Sequence, residues 1–421
     1  MVGQLLTEEE LILRNTVREF AEKEIAPRAA HYDETSEFPW DNIYGLGELG
    51  LFGLGIDEEY GGSGGTTRQV AIAVEEISRA CAATSTTYAA HLSLAVQFIQ
   101  MYGTEGQKRQ FIPPLTTGRS IAAFALTEAG GGSDAGAIQT TATRSNGSYI
   151  LNGSKTYITN APEADIFVLL ATMDRSLGTK GIIALVMESD TPGLTINPLH
   201  GKMGIRASST AEVMFDNCEV PMENRLGNEG EGFRATMEML NQSRISIAAQ
   251  CIGLAQACYD AALKYAQDRR AFGQRIADFQ GLQWMLVDMA TATEAARLLV
   301  QKAATLLKTE DYATAISLYS DLAAQPGTDK VIAPLATMLA AIHESNNNRP
   351  NNAIARLAEL SENNGPWRHL AREVHALALI QSGNMEEARK ILVTIVGDPT
   401  SPAGVRSRAS EILGALHDTS G

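Results

Sequence analysis

"FALTEAGGGSDAGA" (residues 124–137) is where the chain changes its rules. Before it, apolar residues recur with a helical period, and after it they fall into short runs rich in β-branched and aromatic residues. A strand enters a turn carrying Thr127, the glycines Gly130, Gly131 and Gly132, and Ser133. With so few side chains in the way, backbone N–H groups and two hydroxyls can approach a flat polar ligand closely. Taken alone the stretch reads equally well as a plain glycine-rich loop, so the segments on either side decide.

Upstream, residues 1–119 read as a helical domain. Thr7 with Glu10 forms a capping box ahead of an amphipathic run that puts Leu13, Val17, Phe20 and Ala21 on one face, and Pro27 marks its expected end. Further helical patterns cover 41–50, 66–81 and 87–102, and "GTEGQKRQFIPPL" closes on a proline pair. Downstream, residues 120–230 read as a β domain, with strands separated by Asn-Gly and Pro-Gly turns. The helical period returns after "GNEGEGF" and predicts two long helices over 231–305, broken near "DRRAFGQRIADFQ". Each exposes an apolar stripe that needs partners, as in a partial helical bundle.

Residues 306–421 follow a third pattern. Ala315, Ala353 and Ala388 are spaced by 38 and 35 residues. Each is followed by a large residue (Tyr319, Leu357, Leu392) and then an apolar one (Leu322, Leu360, Ile395), with Pro326 and Pro399 closing two of the units. A small residue lets two helices approach, so the period fits tetratricopeptide-like helix-turn-helix repeats.

A chain of 421 residues exceeds one hydrophobic core, so two to four domains are expected. The formal charge of −15 argues against nucleic acid or an anionic membrane as the main partner, since either needs a broad basic surface. A phosphate-bearing ligand then depends on local cations, and "KYAQDRRAFGQR" supplies Lys264, Arg269, Arg270 and Arg275. The start, "MVGQLLTEEELIL", has acids where a signal peptide has bases, and no apolar run reaches membrane-span length. The four cysteines show no C-x-x-C and the seven histidines no metal spacing; Cys251 and Cys258 read as buried thiols in a reduced, cytoplasmic protein. "GLGELG" (45–50) lacks the strand that would deliver a dinucleotide, and "GGSGG" (61–65) lacks the strand of a nucleophile elbow, so both read as turns.

The turn at 124–137 is followed in order by "LNGSKTYITNA" (151–161), "GKMGIRASSTAEVMFDNCEVPMENRLGNEGEGF" (201–233) and "DRRAFGQRIADFQ" (268–280). Together these resemble the acyl-CoA dehydrogenase family of flavoenzymes over residues 1 to about 304. The fold class is then α+β multidomain: a helical domain, a small β domain and a partial helical bundle, with an all-α repeat domain behind. The resemblance implies α,β-dehydrogenation of an acyl-CoA thioester, with FAD between β domain and bundle. By that match Phe124, Leu126, Thr127 and Gly132 line the flavin, and Ser133 meets both cofactor phosphate and CoA. Tyr157, Ile158 and Thr159 flank the ring, Thr159 donating toward its N5. In "LNQSRIS", Leu240, Asn241 and Arg244 hold the CoA portion. Arg269, Phe272 and Gln280 reach the FAD of a neighbouring subunit, implying a homo-oligomer, dimer or tetramer, and a flavoprotein is the implied electron acceptor. Ala129 stands where the family has proline.

The same resemblance exposes a gap. The family's base is a glutamate on a late segment reading like Tyr-Glu-Gly-Thr, which this chain does not contain. Some members place it immediately before the CoA arginine, where this chain has Ser243. The last two bundle helices, the glycine-rich segment that touches a partner's FAD and the glutamate N–H that polarises the thioester are likewise missing from the pattern. No catalytic residue is therefore assigned. The expectation is a flavoprotein that binds FAD and acyl-CoA but turns over poorly, joined to a repeat module. The alternative is a peptide-binding repeat protein using the front portion as scaffold, with His343, Trp367 and His369 as candidate lining residues.

Overall fold

The computed structural model describes residues 6–309, 332–346, 349–365 and 367–418. The chain divides into two compact units, Met1–Lys308 and Thr309–Gly421. In the first, helix α1 (Glu8–Phe20) starts at the expected capping box, with the Thr7 side chain accepting from the Glu10 amide and the Glu10 carboxylate accepting from the Thr7 amide. Val17 and Ala21 are buried, and Leu13 and Phe20 pack against the same core. Pro27 does not end this helix. The chain passes through a π-turn (Ala21–Ile25) into α2 (Ala26–Thr35), and Pro27 occupies the first turn, where no N–H donor is needed.

Then come α3 (Trp40–Glu48), α4 (Thr67–Ala80), α5 (Ala82–Ala90), a π-turn at His91–Val96, α6 (Gln97–Tyr102) and α7 (Glu105–Leu115). Both discarded glycine motifs are structural. A Cβ at Gly47 would stand 2.3 Å from the Thr117 carbonyl oxygen, and Gly61, Gly64 and Gly65 turn the chain at φ of 84°, 63° and 102°. Pro113 and Pro114 lie within the last turns of α7.

The β domain is one eight-stranded sheet. Its strands are β1 (Ala122–Ala125), β2 (Thr141–Ser145), β3 (Ser148–Thr159), β4 (Ile166–Thr172), β5 (Ile182–Glu188), β6 (Leu194–Pro198), β7 (Thr210–Pro221) and β8 (Arg225–Leu226), in the order β6-β7-β3-β2-β4-β5-β8 with β1 parallel beside β4. Asn146 and Gly147, both at positive φ, make the tight β2–β3 hairpin. The period of two divides the core: Val168 and Leu170 of β4 face the helical side, while Phe167, Leu169 and Ala171 join a second core with Tyr149 and Phe215.

α8 (Gly232–Asp268) and α9 (Gln280–Thr309) are joined through a two-stranded hairpin, β9 (Arg270–Ala271) and β10 (Gln274–Arg275). α8 lies close against α4 at Gly253, where a Cβ would meet the Glu75 carbonyl oxygen at 2.3 Å. Ion pairs tie α4 to both long helices, Arg79 to Asp260 of α8 at 2.9 Å and Glu75 to Arg297 of α9 at 2.7 Å. Cys251 and Cys258 are exposed, not buried as expected. They sit seven residues apart on one stripe, turned away from the stripe of Ala249, Ile252 and Gly253 that packs inward.

The second unit contains α10 (Ile332–Asn346), α11 (Pro350–Glu362), α12 (Arg368–Gln381), α13 (Met385–Gly397) and α14 (Ala403–Asp418), each packed on the next. Ala353, Leu357, Leu360, Ala388, Leu392 and Ile395 are all buried, in the repeated small-then-large order. Ala315, Tyr319, Leu322 and Pro326 lie outside the described residues, as does the side chain of His343. Trp367 packs partly against the α11–α12 core, and His369 is held by Ser401 (2.8 Å) and Thr400 (3.2 Å).

Candidate active site

The site begins where a buried histidine fixes β1. His91 is fully buried, and its Nδ1 accepts the Ala122 N–H at 2.9 Å while Nε2 faces the Leu115 carbonyl oxygen at 3.0 Å. An Nδ1 that accepts leaves the proton on Nε2, so the ring is the neutral Nε2–H tautomer. Burial agrees, pushing its pKa down to about 4 against the opposing pull of the Leu115 carbonyl. β1 thus starts in a set position, and two residues later Phe124 stands half-buried, 5.9 Å from the Phe98 ring of α6.

After Leu126 and Thr127, both half-buried, the chain enters the glycine turn. Glu128 and Gly131 exchange backbone hydrogen bonds at 3.0 and 3.1 Å, folding the turn back on itself. A Cβ on Gly132 would reach Thr127 Cγ2 at 3.8 Å, so those two residues lie side by side. The hydroxyls of Thr127 and Ser133 and the amides of Gly132 and Ser133 have no hydrogen-bond partner among the described residues. The turn therefore presents open donors beside an apolar floor.

The opposite edge is a flaw in β3. After a first register shift between Leu151 and Asn152, pairing with β7 runs to Lys155 opposite Val213 and resumes at Ile158 opposite Ala211, so Thr156 and Tyr157 bulge out of register. Tyr157 takes φ of 58° and is 71% exposed. The Thr159 hydroxyl has no partner among the described residues. Ile158 behaves differently from its neighbours, because its side chain is buried in the second core and only its main chain is available to a ligand. The Thr156 amide donates to the Thr127 carbonyl oxygen at 2.8 Å, joining the two edges.

A buried ion pair, which the sequence reading passed over, lies beneath them. Lys155 is 0% exposed, and its Nζ donates to Glu128 Oε1 at 2.7 Å and to the Leu126 carbonyl oxygen at 3.1 Å. Glu128 also accepts the Gln139 amide at 2.6 Å and the Thr140 amide at 3.0 Å. Burial pushes the Lys155 pKa down to about 8, with Glu128 pulling the other way. For Glu128, burial pushes upward, but Lys155 and the donated hydrogen bonds prevail and hold it below the usual carboxylate value. The available signal was a lysine at an inward position of an alternating strand.

The remaining residues fall into two places along α8. Leu240 is half-buried, and exposed Arg244 donates to Asn241 Oδ1 at 2.5 Å without a carboxylate partner among the described residues. Ser243, next to Arg244, is buried and donates to the Leu240 carbonyl oxygen at 3.1 Å. It borders a small cavity of about 100 Å³ with Gln242, Ser246 and Gln97. Arg269, Phe272 and Gln280 are exposed beyond the far end of α8, whose C-cap Arg269 is about 38 Å from Arg244 at 1.5 Å per residue. Phe272, at the hairpin tip, is 96% exposed with φ of 51°. None of the three makes a hydrogen bond or ion pair with residues 124–133 or 157–159 among the described residues.

The comparisons with known proteins identify the family. The family models for the N-terminal, middle and C-terminal domains of acyl-CoA dehydrogenase match residues 7–119, 123–218 and 230–324; the last extends into residues that the repeat pattern assigns to the following domain. The short-chain specific acyl-CoA dehydrogenase of Clostridium acetobutylicum is 46% identical over 301 residues, 72% of this chain and 79% of that protein. The NADH-dependent acryloyl-CoA reductase of Anaerotignum propionicum is 45% identical over 72% of this chain and 77% of its own. Among solved structures, butyryl-CoA dehydrogenase from Megasphaera elsdenii superposes with TM-score 0.71 at 34% identity, covering 92% of this chain and 97% of that one. A glutaryl-CoA dehydrogenase from Mycobacterium smegmatis, solved with FADH2, gives 0.68 at 26% identity over 92% and 91%. Open hydroxyl and amide donors beside Phe124 and Leu126 suit a ring system that carries a pyrophosphate, and FAD is the cofactor of this family and of this chain. With three consecutive domain models and relatives near 46% identity, the chain belongs to the acyl-CoA dehydrogenase family.

Proposed function

We propose that this chain binds FAD and a short acyl-CoA thioester as an acyl-CoA dehydrogenase-type flavoprotein but lacks the base for rapid turnover. The observation that carries the binding half is the pair of adjoining segments, the glycine turn and the β3 bulge, with the hydroxyls of Thr127, Ser133 and Thr159 left open. When bound, FAD supplies an acceptor for hydride leaving the substrate β-carbon. Thr127, Gly132 and Ser133 donate to the cofactor, Phe124 and Leu126 exclude water beneath it, and the main chain at Tyr157, Ile158 and Thr159 orients its ring. Arg244, with Leu240 and Asn241, steadies the CoA portion. Arg269, Phe272 and Gln280 serve the cofactor of a neighbouring copy, so the working form is a homo-oligomer. The electron acceptor is a flavoprotein, and the setting is cytoplasmic.

The missing half is proton removal from the α-carbon. Glu128, the carboxylate on the cofactor loop, is committed to Lys155 and two amides. Ser243 donates to a carbonyl and has no adjacent base, so it cannot take the proton. A missing general base slows the chemistry by roughly 10²- to 10⁴-fold. The test is purification with FAD, followed by titration with butyryl-CoA. Stoichiometric flavin and a perturbed flavin spectrum support the reading; a colourless protein that takes up no FAD refutes it.

A second reading concerns the second unit. The buried series Ala353, Leu357, Leu360 and Ala388, Leu392, Ile395 supports a tetratricopeptide-like fusion at residues 306–421 that binds a peptide or protein partner. Isothermal titration of the full chain with a peptide library that gives no saturable binder would count against it.

A further inference from the structure

The glycine turn leaves the β domain at Glu128 and returns at Gln139 and Thr140, and a single carboxylate holds both ends. Glu128 Oε2 accepts the Gln139 amide at 2.6 Å and Oε1 the Thr140 amide at 3.0 Å. The same carboxylate receives Lys155 Nζ at 2.7 Å, and that ammonium also donates to the Leu126 carbonyl oxygen at 3.1 Å. Lys155 is the last residue paired in register before the β3 bulge. One residue on, the Thr156 amide reaches back to the Thr127 carbonyl oxygen at 2.8 Å.

We infer that Glu128 and Lys155 are positioning residues of the flavin cleft. The ion pair closes the 129–138 loop at its neck and sets that loop against the bulge presenting Tyr157 to Thr159. This rests on the reading above that those two segments hold FAD.

Isolated residues could not do this. Ala129, Gly130, Gly132 and Ser133 are exposed, and the turn is held internally only by the Glu128–Gly131 pair and the Asp134–Ala137 turn. Seven of its residues carry no more than a methyl side chain, so it has little apolar surface with which to fix its own shape. Charge-assisted hydrogen bonds in a dry site are strong and directional, which suits a clamp at the neck of a loop too small to have a core. Lys155 buried without Glu128, or Glu128 without Lys155, would be an uncompensated charge, so the two act as one unit.

The test is a double-mutant cycle on the full chain with Glu128→Gln, Lys155→Met and both together, reading the FAD dissociation constant by quenching of flavin fluorescence. The isosteric Glu128→Gln keeps the shape of the site and guards against the loss of fold that Lys155→Met could cause. Each single variant is expected to weaken FAD binding by about tenfold or more, and the double variant by no more than the worse single one. Bound flavin in the variants should also lose the resolved vibronic shoulders of a rigid site. Hydrogen exchange on the FAD-free wild type gives a reading that needs no variant. The amides of Gln139, Thr140 and Thr156 should be protected like the sheet, while those of Gly130 and Gly132 exchange freely. FAD affinities within twofold of wild type in both single variants, or additive losses in the double variant, would overturn the inference while leaving the FAD reading intact. A wild type that takes up no FAD would overturn both.

Discussion

His91 shows how a single side chain sets the position of the site. Its ring bridges Leu115 at the end of the helical domain and Ala122 at the start of β1, with no water between. Its folded pKa, about 4, lies below the ordinary histidine value of about 6.5. Between those values the unfolded chain carries a proton that the folded chain does not. The stabilisation is fully present above about pH 6.5 and lost as pH falls toward 4, amounting to about 3 kcal/mol across the window. Urea midpoints measured from pH 7 to pH 4 should show that loss, and His91→Gln should start lower and flatten the slope; an unchanged slope would remove His91 as its source. At this scale, local chemistry was legible. The turn that carries Thr127, Gly132 and Ser133 was legible because turn glycines and short hydroxyl residues announce themselves within a few positions. Glu128 and Lys155 were not, because their partnership spans 27 residues and depends on strand pairing. Ile158 was assigned with its neighbours, and only the alternation of β3 turns its side chain inward.

Elements were easier to read than their ends. The capping boxes at Thr7 and the Asn-Gly hairpin at 146–147 appear where their patterns place them, because each is satisfied by residues three or fewer positions away. Pro27 misled, since a proline in a first turn is compatible with a helix resuming after a π-turn. Cys251 and Cys258 misled for a related reason: a long helix with apolar residues on several stripes does not declare which stripe its neighbour covers. What selects the packed stripe of α8 is Gly253 against Glu75 and Ser78 of α4. Gly253→Ala removes a glycine from a helix interior, which alone would gain up to about 1 kcal/mol. A Cβ there meets the Glu75 carbonyl oxygen at 2.3 Å and the Arg79 amide nitrogen at 3.0 Å, both backbone atoms with little room to yield. The expected net result is a loss of about 1–3 kcal/mol in a urea melt. A gain in stability would mean that α4 and α8 are not held as closely as described.

For the molecule as a whole, the proposed function provides the cofactor half of the site and lacks the proton-removing half. A short polar side chain stands at position 243, where some family members carry their base, and the cavity of about 100 Å³ beside it offers room for a longer one. Ser243→Glu should therefore raise the rate of flavin reduction by butyryl-CoA by about tenfold or more, with a pH profile governed by one carboxylate; no change would show that this position does not reach the substrate. The fold was legible at this scale because three periodicity regimes follow one another along the chain, and the site was legible as far as its motifs are local. The clamp beneath it and the identity of any partner of the second unit are products of packing and association, which no short stretch records. The most direct measurement is anaerobic stopped-flow mixing of the FAD-loaded wild type with butyryl-CoA, following the visible flavin band. Rapid spectral perturbation from binding, with bleaching slower by at least about 10²-fold than in an enzyme with its base in place, is the predicted result. Complete bleaching at the rate of a base-equipped dehydrogenase would contradict it.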